Sequence, residues 1–224
     1  MKVKEIKKRY LERIGFSYKK SKTLWNFIIA CIFIALVVII VSSRCLFLGF
    51  ISIPPKGGMK FERFHFSLEP IYLQGVRRWR SDRIGGSNEE FRFVGCTVTC
   101  VSMALAHYDI DIAPGKLNKL LVQNNSYTKK GWLIWDKVSE VLTGRIKIEV
   151  PCFPTYSRID RSLKSGIPVL VKVMLRKSVP HWVLIVGKDN REYLIKDPLG
   201  DGKSIEKLSK YNSNIYSIRL IEKQ

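Results

Sequence analysis

Eighteen consecutive residues, "LWNFIIACIFIALVVIIV" from Leu24 to Val41, hold one strongly polar side chain, Asn26. No other feature restricts the chain more. A run of about 18 or more apolar residues is long enough, as a helix, to cross the ~30 Å hydrocarbon layer of a bilayer. A secretory signal has a shorter apolar core of about 7–15 residues and ends in a small-residue cleavage site. The "SSRCLF" that follows here offers no such site. Arg44 stands where lipoprotein cleavage before Cys45 would need a small residue. The run therefore predicts one uncleaved transmembrane helix, over residues 24–43.

Charge sets its direction. Residues 1–23 include nine basic side chains (Lys2, Lys4, Lys7, Lys8, Arg9, Arg13, Lys19, Lys20, Lys22) against Glu5 and Glu12. Short flanks rich in Lys and Arg stay in the cytoplasm. The N-terminus is expected inside, as a basic cytoplasmic segment, and everything past about residue 50 outside. The rest of the chain keeps 30 basic residues against 17 acidic ones (39 less nine, 19 less two). A domain that is basic in its own right favours anionic surroundings: a membrane surface, charged wall polymers or acidic substrates. It carries no recognisable nucleic-acid motif, so no nucleic-acid partner is expected.

Pro54, Pro55, Gly57 and Gly58 interrupt regular structure, and residues 44–67 read as a linker, with "ISIPPKGGMKFERF" (51–64) leading into a strand-like stretch. Gly57-Gly58 is better explained by flexibility than by self-cleavage. Residues 68–224 then suit one domain. A short extended segment, "EPIYLQ", covers 69–74. Helices are expected at 96–108, at 114–123 with Pro114 at its start, at 132–142, and at 155–166 with Thr155 or Ser157 as cap and Gly166 as stop. Strands follow at 167–175, 181–187, 192–198 and 214–221, the middle two joined by the turn "KDNR". Helices first and an antiparallel sheet after them make an α+β fold. Trp79, in "RRWR", reads as a loop anchor at least as well as a groove residue.

The chemistry centres on "GCTVTCVSMALAHY", residues 95–108. A thiol attacks only as thiolate, and a helix N-terminus or a nearby imidazolium lowers its pKa from about 8.5. Gly95-Cys96 puts a sulfur at such a terminus. Cys100 lies one turn deeper and reads as a small apolar core residue. Cys96, Cys100 and Cys152 are an odd number for a disulfide framework, so at least one stays a thiol. A zinc site does not follow: Cys96 and His107 share a helix face but stand roughly 16 Å apart along it. No metal and no cofactor are expected. Of the three histidines, His65 sits beside the linker and His107 at the wrong end of its helix, which leaves His181. If the hairpin loop is odd, so that Gly187 faces Arg191, His181 faces Asp197 with Cβ atoms about 4.5–5.5 Å apart. Asp197 would then orient one imidazole nitrogen while the other meets the thiol.

Taken in order, "GCTVTCVSMALAHY", "APGKLNKLL", "SGIPVLVKVM", "HWVLIVG" and "YLIKDPLG" resemble the papain-like cysteine peptidases related to the double-glycine leader peptidases of bacteriocin exporters. The resemblance covers roughly residues 68–200. It implies a papain-like fold, N-terminal helices packed on an antiparallel sheet. It also implies Cys96 as nucleophile, His181 as general base and acid, Asp197 as orienter, and Gln74, at the end of "EPIYLQ", as an oxyanion-hole donor. The chain departs from that pattern in the long connection, residues 75–94, between Gln74 and Gly95. It also has one anchor and no ATPase motif, so the exporter role is not implied.

The reading is a membrane-anchored, extracytoplasmic thiol hydrolase acting on peptides, proteins or wall peptides. A non-catalytic peptide- or wall-binding module on the same fold, and an amidase or transamidase with the same triad, remain alternatives. Peptidase and amidase both attack a carbonyl and stabilise the same oxyanion.

Overall fold

The computed structural model describes residues 25–37, 51–67 and 69–224. The chain divides into two compact units, Met1–Phe47 and Leu48–Gln224. In the first, residues 25–37 form a helix, α1. Among the described residues no helix is long and apolar enough to cross a membrane. The basic segment 1–23 and the rest of the expected span, residues 24 and 38–43, lie outside the described residues.

The second unit is α+β. Its elements are β1 (Lys56–His65), α2 (Phe91–Val94), α3 (Cys96–Ala106), α4 (Pro114–Gln123), α5 (Trp135–Val141), β2 (Ile146–Glu149), α6 (Tyr156–Lys164), β3 (Val169–Leu175), β4 (Val179–Lys196), β5 (Glu206–Lys207) and β6 (Ser217–Lys223). A 3-10 turn, Leu208–Tyr211, sits between β5 and β6. The sheet runs β1-β4-β3-β6-β2, with β5 on β4, and every pairing is antiparallel.

Side chains alternate across a strand, and here the alternation divides two cores. Leu170, Leu184, Val186 and Ile221 face Val98, Val101, Met103 and Leu105 of α3, with Leu117 and Leu121 of α4 and Val138 of α5 behind. Val169, Val171, Val183, Ile185 and Leu220 face Ile159 and Leu163 of α6. Helix α3 is buried almost all round, as suits the central helix of a layer. Helix α6 starts where Thr155 Oγ1 accepts from the Arg158 N–H at 3.2 Å. Gly166 follows its end at φ 75°, a backbone that favours glycine.

Three local expectations change. Residues 56–65, read as part of a linker, form β1. Gly58 sits there at φ 69°, where a Cβ would come within 2.3 Å of Asp160 Oδ2. Those glycines admit α6 against the strand instead of loosening it. Residues 69–74 form no strand. The two strands expected at 181–187 and 192–198 are one element, β4, because residues 187–192 pair with β1 and leave no unpaired turn. The element doubles back nonetheless. A straight strand of that span would part His181 from Asp197 by roughly 50 Å, whereas they are hydrogen-bonded at 2.8 Å. Asn190, at φ 58°, lies in the bend.

Candidate active site

Gly95 explains how Cys96 is presented. Its N–H donates to Phe91 O at 2.7 Å, closing α2 directly onto α3. A Cβ at Gly95 would meet the Phe91 ring at 2.4 Å, so only glycine fits the joint. Cys96 thus opens α3, whose first-turn N–H groups lack partners within the helix.

Across from it stands His181 on β4, 2% exposed. Its Nε2 meets Asp197 Oδ1 at 2.8 Å. That leaves Nδ1 as the nitrogen for the Cys96 thiol, which hydrogen-bonds the imidazole. Burial alone would raise the Cys96 pKa; hydrogen bonding and charge at His181, with the Trp182 backbone and Thr97, pull it below the ordinary thiol value. Burial alone would lower His181; bonds to Asp197 and Cys96 and the charges of both raise it to about 9. The two shifts run in opposite senses, the thiol toward its anion and the imidazole toward its cation. Asp197 resists burial too. Bonds from His181, Tyr211 and Lys210, with the His181 charge, hold it well below the usual carboxylate range.

The surroundings of Asp197 include residues that the sequence reading missed. Lys210 Nζ reaches Oδ2 at 2.9 Å, the Tyr211 hydroxyl donates to the same oxygen, and the Leu199 N–H donates to Oδ1 at 2.9 Å. Tyr211 also sets its ring edge-on to His181, centroids 5.9 Å apart. Nothing in "KLSKYNSN" announces this, because the 3-10 turn that carries Lys210 and Tyr211 has no sequence period.

Gln74 is 1% exposed. Its backbone N–H donates to Pro198 O at 3.0 Å and its Nε2 to Arg92 O at 2.7 Å. It is thereby tied to the residue after Asp197 and to the turn just before Cys96. The long connection closes on itself, with Phe91 N–H to Asp82 O at 2.8 Å and Arg92 N–H to Arg80 O at 3.0 Å. Residues 75–94 therefore loop out and return beside Gln74. Trp79 is the anchor of that loop: it is buried, and its Nε1 donates to Leu73 O at 3.0 Å.

Cys100, Cys152 and His107 are each engaged elsewhere. Cys100 is fully buried, its Sγ donates to Trp182 O at 3.4 Å, and burial with the charges of Cys96 and Asp197 pushes its pKa well up. Cys152 is disulfide-bonded. His107 Nε2 meets Gly166 O at 2.7 Å and its ring packs on Phe66 and Tyr108. Among the described residues no group of three His, Cys, Asp or Glu could hold a metal ion.

A thiol opening a central helix, against an imidazole on an antiparallel sheet, is what a papain-like cysteine peptidase needs. The chain belongs to the Peptidase_C39 like family, whose model matches residues 83–218. It is a cysteine peptidase of that family, a hydrolase. It is also similar to a crystal structure from Bacillus anthracis whose description assigns it to the C39-like peptidases. That alignment has a TM-score of 0.50 at 16% identity and covers 73% of this chain and 99% of the other. At that identity the likeness is one of fold. No curated protein matches the chain.

Proposed function

We propose that the protein cleaves peptide bonds outside the cytoplasm while anchored in the membrane, with Cys96 as nucleophile, His181 as general base and acid, and Asp197 as orienter. The observation that carries this reading is the coupling of a depressed Cys96 thiol to an elevated His181 imidazole whose Nε2 is taken by Asp197. The Cys96 thiolate attacks the scissile carbonyl carbon. The oxyanion forms against the first-turn N–H groups of α3 and the second Nε2–H of Gln74, whose first is used on Arg92 O. His181 hands its proton to the leaving amine, and the acyl group stays on sulfur. Water then enters, gives a proton back to His181, and attacks the thioester to free the acid. Asp197 keeps the imidazole in one orientation throughout.

The anchor rests on the apolar run at 24–41 and on the basic flank before it. The outward placement gains support from Cys152, since disulfides persist in oxidising compartments. In this reading residues 1–23 are cytoplasmic, 24–43 span the bilayer, and the peptidase domain begins with β1, not at residue 68.

The test is a positional-scanning peptide library incubated with the full chain, with Cys96→Ala and with Cys100→Ala. Cleavage by the wild type and Cys100→Ala, with none by Cys96→Ala, is the expected result. Cleavage that survives in Cys96→Ala, or a library left intact while Cys96 reacts no faster than Cys100 with iodoacetamide, would defeat the enzymatic reading.

A further inference from the structure

The buried charges at two places in the fold are ion-paired. Lys188 and Asp160 are both fully buried and ion-paired, and Asp160 also accepts from Tyr193 at 3.0 Å and from the Met59 N–H at 2.7 Å. Asp197 has His181 and Lys210. On the helix-facing side of the sheet, Arg219 of β6 and Lys172 of β3 have no such partner. Among the described residues neither forms an ion pair, and the Arg219 side chain makes one hydrogen bond, Nη1 to Ile218 O at 2.6 Å. Its Nε is buried with nothing to donate to. An unpaired buried donor on a charged group is costly.

The register makes the two cations neighbours. Lys172 pairs with Ser217 and Leu170 with Arg219, so Lys172 and Arg219 are diagonal on one face. Burial lowers both pKa values, Arg219 to about 10, and the charge of Arg219 lowers Lys172 further. Two aromatic rings complete the group. The Arg219 guanidinium lies 5.0 Å from the Trp135 ring centroid and 5.2 Å from that of Trp182, and the rings are 5.9 Å apart. Both tryptophans are half-buried. Trp182 pairs directly with Lys172 across the strands.

This group adjoins the site already described. Trp182 follows His181, its backbone hydrogen-bonds Cys96, and its carbonyl accepts from Cys100. Alternation turns its ring toward the helical layer, where it packs with α5 and α3. The backbone contacts of Trp182 with Cys96 and Cys100 are what place the group beside the thiol.

We infer that Arg219 and Lys172, framed by Trp135 and Trp182, form a substrate subsite for a carboxylate close to the scissile bond. The inference rests on the peptidase reading for its position. The carboxylate supplies the counter-charge both cations lack and an acceptor for the orphaned Nε–H. The rings present flat apolar walls to the stem of an acidic residue, and they hold the guanidinium in place. An acidic side chain and a free chain terminus carry the same group, so the test must separate them.

Binding is measured with the full-length Cys96→Ala chain, by quenching of tryptophan fluorescence. The probes are Ac-Ala-Ala-Glu-Ala-Ala-amide, its Gln counterpart, and Ac-Ala-Ala-Ala-Ala-Ala with a free carboxylate. The Glu peptide should bind about tenfold to a hundredfold tighter than the Gln peptide. Arg219→Gln should abolish that preference, while Arg219→Lys, which keeps charge but not the fork, should retain part of it. Tighter binding of the free-terminus peptide instead would assign the subsite to a chain end. Equal affinities for all three, or an Arg219→Gln chain that loses every peptide alike, would overturn the inference and leave Arg219 a packing residue. A binding preference in Cys96→Ala without any cleavage by the wild type would sink the peptidase reading and leave the subsite standing.

Discussion

Two cysteines four residues apart meet opposite fates because one turn of helix changes everything around the sulfur. Cys96 is at the end of α3, where orphan N–H groups and the His181 imidazole favour the anion. Cys100 is inside, where burial raises its pKa and its proton is given to Trp182 O. Iodoacetamide should therefore modify Cys96 first near pH 7, and His181→Ala should slow that reaction by removing the cation beside the sulfur. The sign of the pH dependence follows from the same pair. His181 has its folded pKa raised to about 9, so the imidazolium, and the stability it lends, is fully present below its unfolded value and is lost as pH rises through about 9. In the proposed mechanism its proton is also the one owed to the leaving amine. Activity should thus fall on the basic side near pH 9, measured as kcat against pH, and a flat profile to pH 10 would remove His181 as the acid. Gly95 belongs to this scale as well. In Gly95→Ala the new methyl strikes the Phe91 ring and carbonyl, and the expected outcome is a Cys96 that labels slowly in a chain whose Tm has dropped.

At the scale of elements, the positions of His181 and Asp197 depend on the bend in β4 and on the 3-10 turn that backs it. Lys210 and Tyr211 compete with His181 for the charge of Asp197. Removing the Lys210 cation leaves the imidazolium as the one cation the structure pairs with that carboxylate among the described residues, so Lys210→Met should move the basic limb of the pH profile upward with little change in KM. A rise in KM instead would make Lys210 a substrate contact. A second element-scale prediction concerns α6 and β4. Among the described residues Asp160 is the carboxylate that pairs with buried Lys188, and Asp160→Ala should cost about 3–5 kcal/mol in chemical denaturation, because it strands a buried ammonium. Adding Lys188→Met should restore much of that loss. Much of this architecture is legible in the sequence. Pro114, Thr155 and Gly166 mark helix ends by local chemistry, and "IPVLVKVML" is too β-branched to be anything but a buried strand. What escapes is structure whose cause is not local. β1 looks like a linker because its glycines answer to the close approach of α6. β2, at Ile146–Glu149, is only four residues long and exists through its pairing with β6. Gln74 can be singled out only by likeness, since the segment holding it has no strand period, and its neighbours Arg92 and Pro198 are far away in sequence.

For the whole molecule, the site lies where the two kinds of structure meet. The helical layer brings Cys96, the sheet brings His181 and Asp197, and the loop from Gln74 to Val94 ties them by hydrogen bonds to both. Anchoring, as proposed, is a separate property, carried by the apolar run and the basic flank before it. The apolar run from Leu24 to Val41 has no charged residue. A helix of 18 residues rises about 27 Å, close to the hydrocarbon thickness. The nine basic residues before it would have to cross an energised membrane for the opposite topology, and short basic flanks resist that. A single span with the N-terminus inside, as proposed, would leave the peptidase domain and Cys152 in an oxidising compartment, where a disulfide lasts. Protease added to intact cells should therefore remove the domain and leave a short membrane-bound fragment. A fusion after Gln224 to a reporter that folds only outside the cytoplasm should be active. Replacing Lys7, Lys8, Arg9 and Arg13 with Gln should weaken that orientation and bring some of the reporter inside. A reporter active only in the cytoplasm with the native sequence would place the peptidase on the other side, and its substrates with it.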